Sequence, residues 1–185
     1  MSEGPGDLEH LVDGLRRGDD AAFEALVRMA QHRIFGIAMR MLGDRAEAEE
    51  VAQEVFLRVH RSAREFRGDS KLSTWLYAIA SRLCLARLVR PERRARIVDP
   101  ESVPEIPDAG ADPSARLETA ELRTALERCI QELDEERRIV VVLRDVHGLP
   151  YEEIAAALGI ELGTVRSRLH RARAELKDRL EKRLS

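Results

Sequence analysis

Residues 150–173 read PYEEIAAALGIELGTVRSRLHRAR and predict two helices joined by a tight turn. Pro150 suits the entry to the first helix and Gly159 suits its end, while Thr164 is predicted to cap the second helix with its hydroxyl. A short helix, a glycine-containing turn and a longer helix are together typical of a helix-turn-helix.

The second helix of this motif has an apolar stripe on one side and a cationic face on the other. At about 100° per residue, the stripe runs from Val165 to Leu180 and predicts the buried side. An arginine-rich face free of acids can enter a DNA major groove, which favours DNA binding over the alternative of a merely solvated helix. The residues on or beside that outward face are Arg166, Ser167, Arg168, His170 and Arg171.

Composition favours an all-α protein. The 185 residues include only 4% aromatic side chains and show no alternation of strands and helices. Cys84 and Cys129 lie in apolar helical patterns, so we expect buried thiols in a reduced cytoplasm rather than a disulfide. The longest aliphatic run, residues 139–143, is too short to cross a bilayer, and no signal peptide precedes it. We therefore expect no membrane insertion.

Charge is distributed unevenly although the net charge is only −3. Residues 1–57 contain six basic and twelve acidic side chains, whereas residues 58–96 contain eleven basic and three acidic ones. A basic middle and a basic terminal helix suggest two surfaces for nucleic acid, and the acidic start suggests a surface for another partner.

Capping residues divide the first half into helices. Gly18 and the aspartates after it precede a helix that runs to about Leu42, and Asp44 is predicted to cap the next. That next helix has acids in its first turns and bases in its last, which the helix dipole alone could explain as well as a partner could.

The following loop combines aromatic and basic residues. Ser73 is predicted to cap a helix that opens with Thr74 and Trp75. Aromatic rings beside cations are how proteins hold single-stranded nucleic acid, although Trp75 and Tyr77 could equally well pack in the core.

Residues 97–114 are rich in proline and acids and predict an extended linker between two small helical domains. We expect an N-terminal domain over residues 1–96 and a helix-turn-helix domain over residues 115–185. In the second domain, Ser114 and Asp134 are predicted to cap two further helices. The first of these is expected to bury Leu117, Leu122, Leu126 and Ile130.

The sequence contains no phosphate-binding loop, nucleophile elbow or array of metal ligands, and its five histidines are scattered. We expect no enzymatic activity, no cofactor and no metal site.

Three stretches resemble the extracytoplasmic-function group of bacterial RNA polymerase sigma factors in the sigma-70 family. They are DRAEAEEVAQEVF at residues 44–56, STWLYAIA at residues 73–80, and the helix-turn-helix. The resemblance implies an initiation factor whose first domain binds core polymerase and opens the minus-10 element and whose second domain reads the minus-35 element. Relatives are often held by an anti-sigma protein, so a stress or envelope response under such control is also implied.

The resemblance also implies roles for individual residues. Contacts with the clamp coiled coil of the polymerase beta-prime subunit fall on Asp44, Glu47, Glu50, Gln53 and Glu54. Contacts with the melted minus-10 strand fall on Arg61, Phe66, Arg67, Asp69, Lys71, Ser73, Thr74, Trp75 and Tyr77. Contacts with minus-35 DNA fall on Arg144, Tyr151, Glu152, Thr164, Arg166, Ser167, Arg168, His170 and Arg171.

Two other interpretations remain open. A helix-turn-helix regulator could bind DNA without joining polymerase, and an interaction module could bind protein alone. Neither needs both an acidic docking helix and an aromatic loop, which favours the sigma-factor interpretation.

Overall fold

Helices account for all the regular structure in the described part of the chain. The structure is a computed structural model that describes the backbone of residues 5–90 and 113–184 and the side chains of residues 8–90 and 121–183. No strand occurs in these ranges, which confirms the all-α prediction.

In residues 5–90, the part of the first half that the structure describes, four α-helices follow a short 3-10 helix. The long second helix packs against the third and the fourth. The elements are the 3-10 helix Pro5–Leu11, α1 (Val12–Arg17), α2 (Asp20–Leu42), α3 (Arg45–Ser62) and α4 (Leu72–Leu88).

Residues 113–184 form four more helices, and the last two are the predicted helix-turn-helix. A π-helical turn extends the second of the four. The elements are α5 (Pro113–Gln131), α6 (Glu135–Val141) with the turn Val142–Val146, α7 (Tyr151–Leu158) and α8 (Leu162–Leu184).

Local signals set most helix ends where the sequence predicts them. The Asp44 carboxylate accepts a hydrogen bond from the Glu47 amide at 2.9 Å and caps α3. Asp134 caps α6 in the same way. Gly43 and Gly159 end α2 and α7 at φ values of 67° and 65°, a left-handed conformation that glycine adopts without a steric penalty.

The predicted cap of α4, Ser73, is wrong. The helix begins at Leu72, two residues before the predicted start at Thr74, and Ser73 is completely buried. The cap comes from the 3-10 helix, because the Glu9 carboxylate accepts a hydrogen bond from the Leu72 amide at 2.6 Å. A carboxylate in this position also interacts favourably with the helix dipole.

The predicted cap of α8, Thr164, is also wrong. That helix begins at Leu162, so Thr164 lies in its first turn and its amide donates to the Glu161 carbonyl at 2.9 Å. Helix α5 begins at Pro113, one residue before the predicted cap Ser114, because proline lacks the amide that a first turn leaves unpaired. The rest of the predicted linker, residues 97–112, lies outside the described residues.

A single hydrophobic core extends through both halves of the chain. The stripe predicted on α8 is buried at Val165, Leu169 and Ala172. Cys84 and Cys129 are free and buried, as predicted, and burial raises the pKa of the Cys84 thiol to about 12.

The stripe predicted for α5 is wrong at Leu122 and Leu126, which are 44% and 38% exposed. Glu127 takes the inward position, and its carboxylate binds Arg40 of α2 at 2.7 Å with both side chains nearly inaccessible to solvent. A buried carboxylate needs a partner, so α5 turns this side towards α2. Ile130 is buried as predicted, and the Leu117 side chain lies outside the described residues.

The two halves meet at the C-terminal end of α2. Gln131 Nε2 donates to the carbonyls of Met39 and Arg40 at 3.2 and 2.5 Å. Arg138 Nη1 donates to the Met41 carbonyl at 2.6 Å. Because the last carbonyls of a helix lack partners within it, side chains of the second half cap α2.

His147 lies in the same interface, with its ring centroid 6.5 Å from that of Tyr77. Its Nε2 is buried and has no hydrogen-bond partner among the described residues. Burial, together with the positive charges of Arg40 and Arg33, lowers the pKa of His147 to about 4. The imidazole is therefore neutral in the folded protein at pH 7.

This histidine predicts a pH-dependent stability. Unfolding restores an ordinary histidine pKa near 6.5, so between pH 4 and pH 6.5 the unfolded chain binds more protons than the folded one. We expect the free energy of unfolding to rise across this range by about 3 kcal/mol because of His147. Urea denaturation at several pH values should show a shallower rise for His147→Gln.

The exposed His32 of α2 supplies the matched control. His32→Gln should keep the wild-type pH dependence. Equal slopes for wild type and His147→Gln would contradict the assignment of a buried, neutral imidazole.

Candidate nucleic-acid and protein interfaces

A cleft of about 530 Å³ lies between the end of α3 and α4. Phe66 and Trp75 line it as a tilted aromatic pair whose ring centroids are 5.0 Å apart. Both rings are half-buried, so part of each is open to a ligand. Of the residues predicted for the melted strand, the cleft brings together Arg61, Phe66, Arg67, Asp69 and Trp75.

Helix α1 positions the aromatic loop. Arg16 Nε donates to the Phe66 carbonyl at 2.9 Å, and its guanidinium lies 5.9 Å from the centre of the Phe66 ring. The loop then turns at Gly68, whose φ of 83° favours glycine. Sequence reasoning missed Arg16, because no local pattern links it to a residue fifty positions later.

The cleft is predominantly cationic. Arg58, Arg61, Arg67 and Arg82 line it, against the acids Glu65 and Asp69. Arg58 binds Glu54 at 2.6 Å, whereas the other three arginines make no ion pair within the described part of the chain. Sequence reasoning missed Arg58 and Arg82. Helical spacing could have indicated Arg82, which follows Trp75 by seven residues on the same face of α4.

The other residues predicted for the melted strand lie outside the cleft. Ser73, Thr74 and Tyr77 are buried. Lys71 reaches the second half of the chain, where its Nζ lies 2.5 Å from the Glu153 carboxylate. The hydrogen bond and the charge of Glu153 raise the pKa of Lys71. The residues predicted for the melted strand therefore lie partly in the cleft and partly in the core or at the contact between the two halves.

Helix α3 presents an acidic face, defined here as Glu50, Gln53, Glu54 and Leu57. These residues follow a helical spacing on one side of α3, away from its buried valines. Leu57 is 56% exposed and was missed, although an apolar residue off the buried stripe was a visible signal.

Neighbouring side chains organise this acidic face. Arg87 of α4 binds Glu50 at 2.7 Å and lies 4.0 Å from Glu54. The remaining predicted polymerase contacts lie at the start of α3: Asp44 serves as its cap, and Glu47 is half-buried in its first turn. The solvent-facing part of the predicted set is therefore the acidic face.

On α8, most of the side chains predicted to face DNA are exposed, and one is held by an acidic residue. Arg166, Ser167, His170 and Arg171 are exposed. Arg168 is 22% exposed and binds Glu136, and Arg173 binds Asp145, which raises the pKa of the Arg173 guanidinium. Arg166 and Arg171 are the arginines of this surface for which no ion pair occurs within the described residues.

Helix α7 and the turn before it add residues at the edge of this surface. The Arg144 guanidinium lies 5.0 Å from the centre of the Tyr151 ring, and its Nη1 donates to the Leu149 carbonyl at 2.9 Å. Glu152 is exposed. Arg144 therefore supports the turn as well as the surface.

No group of three or more histidine, cysteine, aspartate or glutamate side chains in the described ranges is arranged to hold a metal ion. None of the helices described is long and apolar enough to span a membrane.

Two family models match the chain. The model of Sigma-70 region 2 matches residues 26–94, and that of Sigma-70, region 4 matches residues 123–176. The cleft and the acidic face fall in the first match, and the helix-turn-helix falls in the second.

Individual proteins show the same similarity over most of their length. The RNA polymerase sigma-H factor of Pseudomonas aeruginosa is 38% identical over 89% of this chain and 89% of its own. The ECF RNA polymerase sigma-E factor of Escherichia coli is 35% identical over 92% of this chain and 93% of its own. The fold matches that of the sigma factor RpoE of Bartonella quintana, solved with the anti-sigma factor NepR, at a TM-score of 0.70. The two sequences are 20% identical, and the match covers 86% of this chain and 96% of that one.

Proposed function

Because the chain belongs to the ECF group of the sigma-70 family of RNA polymerase sigma factors, we propose that three of its surfaces direct core polymerase to promoters. The acidic face binds polymerase, the cleft holds the melted minus-10 strand, and α8 reads the minus-35 element. No step requires catalytic chemistry from this chain.

The aromatic cleft is the observation that carries this proposal. Phe66 and Trp75 offer faces on which unstacked bases can lie, while Arg61, Arg67 and Arg82 can follow the phosphates. Stacking contributes about 1 to 3 kcal/mol per base and tolerates any base. A DNA-binding regulator that acts only on duplex DNA has no use for such a cleft.

The acidic face suits a basic protein partner, which we identify with the clamp coiled coil of the beta-prime subunit. Arg87 holds Glu50 and approaches Glu54, so their carboxylates are oriented before binding. Leu57 adds an exposed apolar side chain beside them. Interfaces commonly combine such an apolar anchor with a polar rim.

For the minus-35 element, we assign base contacts to Arg166, Ser167, His170 and Arg171, which are exposed on α8. Arg168 is given a lesser part, because Glu136 already binds it. Arg144, Tyr151, Glu152 and Thr164 would contribute at the edge of the duplex.

Restraint by an anti-sigma factor completes the proposal. The Bartonella relative was solved with such a protein, and the resemblance implies a stress or envelope response. We propose that the chain acts in the cytoplasm, where its polymerase partner resides, and that its domains comprise residues 1–96 and 115–185.

In vitro transcription from a promoter library tests the function directly. Core polymerase with this chain should yield transcripts from promoters that share two sequence elements. Glu50→Lys combined with Glu54→Lys should reduce transcription and co-elution with core polymerase at least tenfold, because both changes reverse charge on the acidic face.

Glu49→Lys is the matched control, since Glu49 is exposed at the edge of the acidic face and pairs with Arg45, whereas Glu50 pairs with Arg87. It should retain most of the activity. Equal amounts of transcript from wild type and the double variant would exclude the acidic face as the polymerase-binding surface. A wild-type chain that supports no transcription would exclude the proposed function itself.

Base reading on α8 predicts different consequences for two arginines. Arg171→Ala should weaken binding to a minus-35 duplex by about 1 to 3 kcal/mol and relax the preference at one base pair. Arg173→Ala, whose arginine is held by Asp145, should affect all duplexes alike. Binding to single-base variants at two salt concentrations separates these cases. Equal loss on every duplex for Arg171→Ala would mean that Arg171 contacts only phosphate.

A further inference from the structure

The aromatic loop, defined here as residues 66–72, is held at both ends by the N-terminal segment of the chain. At its start, Arg16 Nε donates a hydrogen bond to the Phe66 carbonyl at 2.9 Å. At its end, the Glu9 carboxylate accepts a hydrogen bond from the Leu72 amide at 2.6 Å. Both anchors therefore come from one short stretch, formed by the first 3-10 helix and α1.

Arginine side chains also cross between α1 and the region of this loop in both directions. The Arg16 guanidinium lies 5.9 Å from the centre of the Phe66 ring, and a Cβ added at Gly68 would lie 3.0 Å from Arg16 Nη2. In the other direction, a Cβ added at Gly18 would lie 2.6 Å from Arg64 Nη2. Gly18 ends α1, where a cation interacts favourably with the helix dipole. The contact between α1 and the loop is therefore close on both sides.

The two anchors act on the two aromatic rings of the cleft. Arg16 holds the backbone of Phe66 itself. Glu9 caps the start of α4, and Trp75 lies in the first turn of that helix, where its amide donates to the Lys71 carbonyl at 3.1 Å. The distance of 5.0 Å between the two ring centroids therefore depends on both anchors.

We propose that Glu9 and Arg16 are positioning residues that hold the aromatic pair in its strand-binding arrangement before DNA arrives. The described residues that line the cleft include neither of them, so both act through Phe66 and Trp75. A site that already has its bound arrangement loses less conformational freedom on binding. The inference rests on the proposed function, because it supposes that the cleft receives the melted strand.

Glu9 distinguishes positioning from simple electrostatics. It is an acid near a cationic cleft, so electrostatics alone predicts that its removal strengthens the binding of anionic DNA. Positioning predicts the opposite sign, because loss of the cap loosens the start of the helix that carries Trp75. For Arg16 the distinction lies in salt dependence. A residue that contacts phosphate adds to the salt slope, whereas one that only holds Phe66 leaves the slope unchanged.

Quenching of Trp75 fluorescence by acrylamide tests the anchors in the free, full-length chain. Trp75 is the only tryptophan of the sequence, so the signal comes from the cleft alone. The quenching constant should rise about twofold in Glu9→Ala and in Arg16→Met, because a half-buried ring on a loosened loop becomes more accessible. Glu9→Gln should stay near wild type, since its side-chain oxygen still accepts the hydrogen bond.

Strand binding is measured by titrating the same variants with a pool of random single-stranded DNA of about 20 nucleotides, enough to fill such a site. Glu9→Ala and Arg16→Met should bind the pool about fivefold more weakly, as expected for the loss of one hydrogen bond. Both variants should keep the salt slope of wild type, because neither residue is assigned to phosphate.

Asp13→Ala and Arg17→Met are the matched controls, since each removes an exposed charge of α1. Neither residue makes a hydrogen bond to the aromatic loop within the described part of the chain, so quenching should equal that of wild type. Far-UV circular dichroism checks that every variant is folded. If Glu9→Ala loses helicity, Arg16→Met decides, because Arg16 holds the other end of the loop.

Unchanged quenching in both Glu9→Ala and Arg16→Met would overturn the anchoring. Equal or tighter DNA binding by Glu9→Ala would overturn its part in strand binding. A salt slope lower by about 0.7 for Arg16→Met would mean that Arg16 contacts phosphate and is not a positioning residue. If wild type binds no DNA, the proposed role of the cleft fails, whereas the quenching result still decides the anchoring. The two failures are thus distinguishable.

Discussion

The C-terminal end of α2 is the constraint on which the contact between the two halves depends. A helix ends with carbonyls that need donors, and here Gln131 and Arg138 supply them from a distant part of the chain. The same turn places Arg40 against Glu127. These contacts set the rotation of α5, bring α7 onto α4, and leave Leu122 and Leu126 at the surface.

Directional polar contacts of this kind fix how the two halves meet. Removing one partner of a buried ion pair strands a charge and destabilises a protein by about 3 to 5 kcal/mol. Separating the halves exposes both Arg40 and Glu127 to water, so neither charge is left buried. The hydrophobic core that extends through both halves adds the non-directional part of this contact. The polar contacts therefore fix the geometry of the interface, and the shared core holds it together.

Sequence patterns were sufficient where the deciding interaction is local. Asp44 and Gly159 act within one helical turn, and the stripe from Val165 follows from helical geometry, so these elements were predicted correctly. Glu9 caps α4 and Arg16 anchors Phe66 from more than forty residues away. Local sequence predicts Glu127 as a surface acid, because its buried partner Arg40 lies far away along the chain. The aromatic and cationic character of the cleft was predictable. That Lys71 and Thr74 lie outside the cleft, against Glu153, depends on tertiary packing.

Zero-length carbodiimide cross-linking of wild-type protein tests the central claim, that the two halves of the chain pack on each other with α7 against α4. The reagent joins an amine to a carboxylate only when they touch, and Lys71 Nζ lies 2.5 Å from Glu153. Mass spectrometry should detect the Lys71–Glu153 cross-link in the free chain as an intramolecular product whose yield does not depend on protein concentration. Absence of this cross-link would contradict the account.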